Sequence, residues 1–97
     1  MQEHTVRLWG GRIVFSGKHW SSVGYEYRLE YADDAFAMER CLDYKHPEMV
    51  EAGLCGGDEA TLTYVLTPLK RGTFVIREQR FFRGDLEQEI CHRYTVI

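Results

Sequence analysis

The sequence predicts an all-β domain, a β-sandwich of about seven strands. Two observations support this prediction. Aromatic and β-branched residues alternate with polar residues in short segments, as half-buried strands require, and turn residues such as glycine, proline and aspartate separate these segments along the chain. The 97 residues contain no internal repeat, low-complexity segment or linker, so we expect a single domain over residues 1–97.

The N-terminal half contains three clear strand patterns and one ambiguous segment. The apolar positions of the clear patterns are Val6 and Leu8, then Ile13 and Phe15, and then Tyr25, Tyr27, Leu29 and Tyr31. At residues 34–44, "DAFAMERCLDY", the alanine, methionine, glutamate and leucine residues favour a helix, but the apolar residues also recur with a period of two. We predict a strand there because the neighbouring segments are strands.

The C-terminal half supplies the remaining strands. Their inward positions are Leu62, Tyr64 and Leu66 before Pro68, then Phe74 and Ile76 after Gly72, and finally Ile90, Tyr94 and Val96. This alternation is typical of antiparallel strands that pack on one face.

Composition and charge limit the partners. A hydrophobic fraction of 44% with 28% charged residues is that of a globular protein rather than a disordered chain. The net charge of -3 is spread along the chain, so we expect no nucleic-acid partner. No apolar run is long enough to span a bilayer, and the first residues lack the order of a signal peptide. We expect a monomer without a membrane partner, either cytoplasmic or, if an export signal was removed, secreted or periplasmic.

The sequence has no pattern that is typical of an enzyme, a cofactor site or a metal site. Cys41, Cys55 and Cys91 cannot all pair within one chain, and none has the spacing of a zinc ligand, so we expect free thiols. A nucleophilic pair of Cys55 with His92 would require folding to bring two distant residues together. Paired carboxylates and a phosphate-binding glycine loop do not occur at a spacing that catalysis would need, so we expect neither enzymatic activity nor a cofactor.

Three segments between predicted strands hold residues that a simple sandwich does not need. They read "WSSVG" at residues 20–24, "GLCGG" at residues 53–57 and "FFRGD" at residues 81–85. In a two-sheet sandwich whose strands follow the immunoglobulin order, the three corresponding loops lie at the same end. The sequence therefore predicts one composite surface, made of a first, a second and a third loop.

The order and spacing of these loops resemble those of the chagasin-type inhibitors of papain-like cysteine proteases, which are immunoglobulin-like sandwiches of seven strands. The resemblance covers residues 13–97 and is carried by Trp20-Ser21-Ser22-Val23-Gly24-Tyr25 with Tyr27, by Leu54-Cys55-Gly56-Gly57, and by Gly72-Thr73. The first loop lacks the family's Asn-Pro, and Arg83-Gly84-Asp85 stands where the family typically has Arg-Pro-Trp.

The resemblance implies a reversible competitive inhibitor that needs no reactive group and blocks the cleft of a papain-like cysteine protease with the three loops. The protease-binding residues that it implies are Trp20, Ser21, Ser22, Val23, Gly24, Tyr25, Leu54, Cys55, Gly56, Gly57, Phe82 and Arg83. In this interpretation Gly24 lets the backbone approach the enzyme closely. Ser21 and Ser22 offer hydroxyl hydrogen bonds, and Val23 contacts an apolar wall.

Other interpretations remain open for the same residues. The fold alone is equally compatible with an immunoglobulin-like binding or adhesion module without inhibitory activity, and Arg83-Gly84-Asp85 is a short sequence associated with adhesion. Trp20 is also compatible with a position at one end of the core, and Gly24 with a turn of positive φ. Cys55, in a predicted exposed loop, is expected to react with thiol reagents faster than Cys91.

Overall fold

The computed structural model describes residues 1–54 and 56–97, which form a two-layer β-sandwich. Its elements, in chain order, are β1 (Gln2–Val6), β2 (Ile13–His19), β3 (Tyr25–Glu30), β4 (Phe36–Tyr44), α1 (Pro47–Glu51), β5 (Ala60–Pro68), β6 (Gly72–Phe82) and β7 (Asp85–Val96). One layer is a four-stranded sheet in the order β1-β7-β6-β3, and the other is a three-stranded sheet in the order β2-β5-β4. The prediction of an all-β, immunoglobulin-like sandwich of about seven strands is confirmed.

The long strands β6 and β7 set the shape of the molecule. They contain 11 and 12 residues and pair antiparallel. At about 3.3 Å per residue, such strands extend over most of the longest dimension of 46 Å. The connection between them therefore lies at a narrow end of an elongated molecule, whose other two dimensions are 27 and 19 Å.

The core lies between the two sheets and follows the predicted alternation. Its buried hydrophobic residues are Ile13, Phe15, Tyr27, Ala35, Phe36, Ala60, Leu62, Tyr64, Leu66, Ile76 and Val96. In β3 the outcome is mixed, since Tyr27 is completely buried whereas Tyr25 and Leu29 are half-buried, as is Tyr31 directly after the strand. The reason is that β3 is an edge strand of its sheet, so its ends are less well covered than its centre.

The ambiguous segment forms the strand β4, as predicted. It pairs antiparallel with β5 along its whole length. Because β4 is also an edge strand, Met38 and Leu42 remain 39% and 37% exposed. The short helix α1 was not predicted; it begins at Pro47, a residue that suits the first turn of a helix. Among the described residues, no helix is long and apolar enough to cross a membrane.

A chain of polar side chains crosses the buried face of the four-stranded sheet. The Tyr27 hydroxyl donates to Oε2 of Glu78 at 2.5 Å, and Oε1 of Glu78 lies 3.4 Å from Nε2 of His92. Nδ1 of His92 lies 3.1 Å from Nε2 of His4. Glu78 and His92 are only 9% and 6% exposed. These contacts link β3, β6, β7 and β1, so the four strands are joined by side chains as well as by backbone hydrogen bonds.

Candidate functional site

The first loop is a tight turn that crosses from β2 in one sheet to β3 in the other. Two backbone hydrogen bonds between Trp20 and Tyr25, with N to O distances of 2.8 and 3.0 Å, hold its ends together. The amides of Val23 and Gly24 also donate to the Trp20 carbonyl, at 3.1 and 3.0 Å. Gly24 has a φ of +106°, which L side chains rarely adopt, so the turn requires glycine at this position.

The third loop is shorter than the sequence predicted. β6 continues to Phe82 and β7 begins at Asp85, so the turn consists of Arg83 and Gly84 alone. Both residues have positive φ, 51° and 84°, as in the two-residue hairpin turns that match the twist of antiparallel strands. The prediction of a longer loop was wrong because glycine in the second turn position permits this tighter connection.

The first and third loops contact each other through their backbones. The amide of Arg83 donates to the carbonyl of Gly24 at 2.8 Å. A Cβ atom on Gly24 would lie 2.8 Å from Cγ of Arg83, so glycine is also what allows this close approach. Beside the contact, the rings of Tyr25 and Phe82 pack with their centroids 4.7 Å apart.

Asp58, which directly follows the second loop, accepts three hydrogen bonds from the first loop. Ser21 Oγ and the Ser22 amide donate to Oδ2 at 3.0 and 2.9 Å, and Ser22 Oγ donates to Oδ1 at 2.5 Å. These bonds, foremost the one from the Ser22 hydroxyl, lower the pKa of Asp58 to about 2. The sequence analysis missed Asp58 because its partners lie 36 and 37 residues away and no local pattern marks it.

Trp20 forms a second link between the first and second loops. Its indole Nε1 donates to the carbonyl of Gly56 at 3.2 Å. The Lys18 ammonium lies 5.1 Å from the Trp20 ring centroid and 4.5 Å from that of Tyr25, close enough for cation–π attraction. Trp20 is half-buried, so it joins the loops at the edge of the sandwich rather than filling the core.

The second loop packs on the short helix α1. Gly57 is buried, and a Cβ atom there would lie 2.6 Å from Cβ of Met49, so a larger residue would push the loop away from the helix. Gly56 has open space around it and a φ of +79°. Leu54 is 57% exposed at the surface. Cys55 lies outside the described residues, so its reactivity stays a prediction.

The contacts between the loops place them at one end of the sandwich, as the sequence predicted. Of the described residues expected to bind a protease, Ser21, Ser22, Leu54 and Arg83 are exposed; Trp20, Val23, Gly24, Tyr25, Gly56 and Phe82 are half-buried; and Gly57 is buried. Their binding to a protease stays a prediction. Over residues 1–54 and 56–97, no group of three or more His, Cys, Asp or Glu side chains is arranged to hold a metal ion.

Comparisons with known proteins concern the fold as a whole. No protein-family model matches the chain, and no curated protein matches it in sequence. Among solved structures, it is similar to the cysteine protease inhibitor EhICP2 from Entamoeba histolytica, with a TM-score of 0.72, 19% sequence identity, and coverage of 99% of this chain and 88% of that one. The chain has the fold of a cysteine protease inhibitor. At 19% identity the likeness establishes the fold, and the activity has to be argued from the loops.

Proposed function

We propose that this protein is a reversible, competitive inhibitor of papain-like cysteine proteases that blocks the active-site cleft with its three loops. The observation that carries the proposal is the hydrogen bonding of the first loop to both of its neighbours, through Gly56, Asp58 and Arg83. Two further facts support it. The similar solved structure is a cysteine protease inhibitor, and the order and spacing of the loops resemble the chagasin-type family.

Inhibition of this kind depends on shape rather than on a reactive group. The loops form a narrow end of an elongated molecule of 46 × 27 × 19 Å, which suits entry into a cleft. Leu54 and Arg83 are exposed there and supply apolar and cationic contacts. A total interface of roughly 1,600 Å² is usual for a protease and its inhibitor. Because the loops hold one another in place, less conformational entropy is lost on binding, which favours affinity.

Val23 is the best position for testing whether the first loop enters the cleft. Gly24 is unsuitable because its φ of +106° and its contact with Arg83 both require glycine. Val23 is half-buried, and its backbone does not have positive φ. Arginine at this position would therefore place a long charged side chain on the loop without straining the backbone.

The experiment is a titration of papain with the purified protein. We expect activity to fall at near-stoichiometric ratios and to return on dilution, and the apparent KM to rise while kcat stays constant. Val23→Arg should weaken inhibition by about tenfold or more, which corresponds to 1.4 kcal/mol of binding free energy. Val14→Arg is the matched control, because Val14 is 57% exposed and lies near the start of β2, away from the loops.

Two results would contradict the proposal at different levels. No inhibition by the parent protein at a large excess would reject the inhibitory function and favour an immunoglobulin-like binding module. Inhibition by Val23→Arg equal to that of the parent would mean that the first loop stays outside the cleft. The thermal midpoints of both variants should remain near that of the parent, so that a loss of inhibition cannot be attributed to unfolding.

A further inference from the structure

The contacts of Asp58 raise the question of what the two serine hydroxyls of the first loop do. Ser21 Oγ and Ser22 Oγ both donate to the Asp58 carboxylate, at 3.0 and 2.5 Å. A serine hydroxyl has a single hydrogen to donate. Both hydroxyl hydrogens are therefore already used inside the molecule, and the two oxygens can only accept hydrogen bonds from a partner while this arrangement persists.

The same carboxylate also fixes the backbone of the loop. The Ser22 amide donates to Oδ2 at 2.9 Å, so Asp58 holds the main chain as well as the side chains of the loop tip. Hydrogen bonds to an ionised acceptor are stronger than those between neutral groups. The lowered pKa keeps Asp58 ionised throughout the neutral and mildly acidic range, so these bonds persist there.

We propose that Asp58 is a positioning residue that holds the first loop in its binding shape, and that Ser21 and Ser22 contribute to inhibition through Asp58 rather than by donating hydrogen bonds to the protease. This inference rests on the proposed inhibitory function and reassigns the serines from direct contact to support. When only a fraction of a protein has the binding-competent shape, its apparent affinity falls by that fraction. Loss of Asp58 should therefore weaken inhibition without removing any atom that touches the enzyme.

A double-mutant cycle separates the two roles of Ser22. Asp58→Ala and Ser22→Ala should each raise the inhibition constant for papain by roughly tenfold. The inhibition constant of the double variant should not exceed the higher of the two single-variant values, because both changes remove the same support. Additive effects, roughly a hundredfold in the double variant, would mean that the Ser22 hydroxyl contacts the enzyme independently and would overturn the proposal. Asp58→Asn keeps one acceptor oxygen and should recover part of the loss.

Asp34→Ala is the matched control for loss of a hydrogen-bonded carboxylate. Asp34 accepts a bond of 2.7 Å from Lys70, and its pKa is likewise lowered, chiefly by that bond. It lies between β3 and β4, at the other end of the sandwich from the loops. Asp34→Ala should leave the inhibition constant unchanged; a loss equal to that of Asp58→Ala would point to a general effect of charge and would contradict the positioning role.

Hydrogen exchange of the Ser22 amide tests the same contact without a protease. In the parent the amide is bonded to Asp58, and Asp58→Ala should accelerate its exchange several-fold while amides in β5 and β6 keep their protection. If the exchange is unchanged, Asp58 does not hold the loop and the inference fails. If the exchange accelerates but the parent does not inhibit papain, both the proposed function and the role of Asp58 in inhibition are rejected. The role of Asp58 in holding the first loop would still be supported.

Discussion

Glu78 and Asp58 are both carboxylates that accept hydrogen bonds from residues distant in sequence, but they differ in burial and in the elements that they join. Glu78 is 9% exposed on the inner face of β6, where it accepts a bond from the Tyr27 hydroxyl and contacts His92. Asp58 is half-buried among the loops, where it accepts bonds from the exposed residues Ser21 and Ser22. One carboxylate joins strands, and the other joins loops.

The difference in burial determines what each carboxylate contributes. If a partner of Glu78 is removed, no water can readily replace it, and a buried polar group without a partner is costly. If Asp58 is removed, water can reach the serine hydroxyls, so folding stability changes little and the loop loses only its preferred shape. The stability of the sandwich and the shape of the first loop therefore depend on two separate hydrogen-bonded clusters, one around Glu78 and one around Asp58.

The largest effect is expected for Glu78→Ala. It leaves the Tyr27 hydroxyl and Nε2 of His92 inside the protein without their partner, which should lower the free energy of unfolding by about 3 kcal/mol in a urea titration. Glu3→Ala is the control, because Glu3 forms an exposed ion pair of 2.7 Å with Arg93 and such pairs contribute about 0.5 kcal/mol or less. Equal effects of the two substitutions would show that burial does not distinguish the carboxylates.

A smaller loss is expected for Tyr27→Phe, which removes one donor and leaves Glu78 in place. We expect about 2 kcal/mol, because the lost bond of 2.5 Å joins the hydroxyl to a carboxyl group in the interior. Tyr64→Phe is the matched control. The Tyr64 hydroxyl is also buried, but it donates to a neutral carbonyl at the longer distance of 3.4 Å, so its loss should cost less.

The alkaline range gives an independent check on Tyr27. Burial, followed by the hydrogen bond to Glu78, raises the pKa of Tyr27 above its ordinary value of 10.0. The unfolded chain therefore loses this proton near pH 10 while the folded protein keeps it, so stability falls as the pH rises above that value. The fall should be less steep in Tyr27→Phe, and an unchanged slope would contradict the assignment.

A third substitution tests whether the contact between the first and third loops contributes to the free energy of unfolding. Gly24→Ala combines positive φ with a Cβ atom 2.8 Å from Arg83. Gly84→Ala has the same kind of backbone, with φ of +84°, but open space around it. We expect losses of about 1.5 and 1 kcal/mol, respectively. The difference between them measures the contact between the first and third loops, and no difference would mean that this contact has no energetic weight.

The fold could be predicted from the sequence because its main signal is local. A period of two places Leu62, Tyr64 and Leu66 on one face whatever the rest of the chain does, and all three are buried. The pattern of β4 fits a helix as well as a strand, so its prediction rests on the strands around it, and pairing with β5 decides its conformation. The two-residue third turn was missed because its length depends on the pairing of β6 with β7, which the pattern of each strand alone does not contain.

Both carboxylate clusters escaped the sequence analysis, for different reasons. Glu78 continues the inward series of Phe74 and Ile76, and His92 falls between Ile90 and Tyr94, so the alternation itself could have placed these polar residues in the core. Asp58 carries no such signal. Its role depends on a contact between two loops, and this contact exists only once the sandwich has formed. The family resemblance does not indicate the contact either.

The smallest effect on stability, and the most specific one, is expected for Asp58→Asn as the pH is lowered. The bonds from Ser22 and Ser21 favour the ionised carboxylate, so the pKa of Asp58 falls from its ordinary value of 3.8 to about 2 in the folded protein. The contribution of these bonds to stability is therefore complete above the pKa of Asp58 in the unfolded chain, and it is lost as the pH falls through the pKa in the folded protein. At pH 7 the thermal midpoint of Asp58→Asn should lie slightly below that of the parent, and the two should converge near pH 2. A gap at pH 7 as large as that of Tyr27→Phe would mean that the loop end contributes to the fold as much as the buried cluster does, and the separation between the two regions would be wrong.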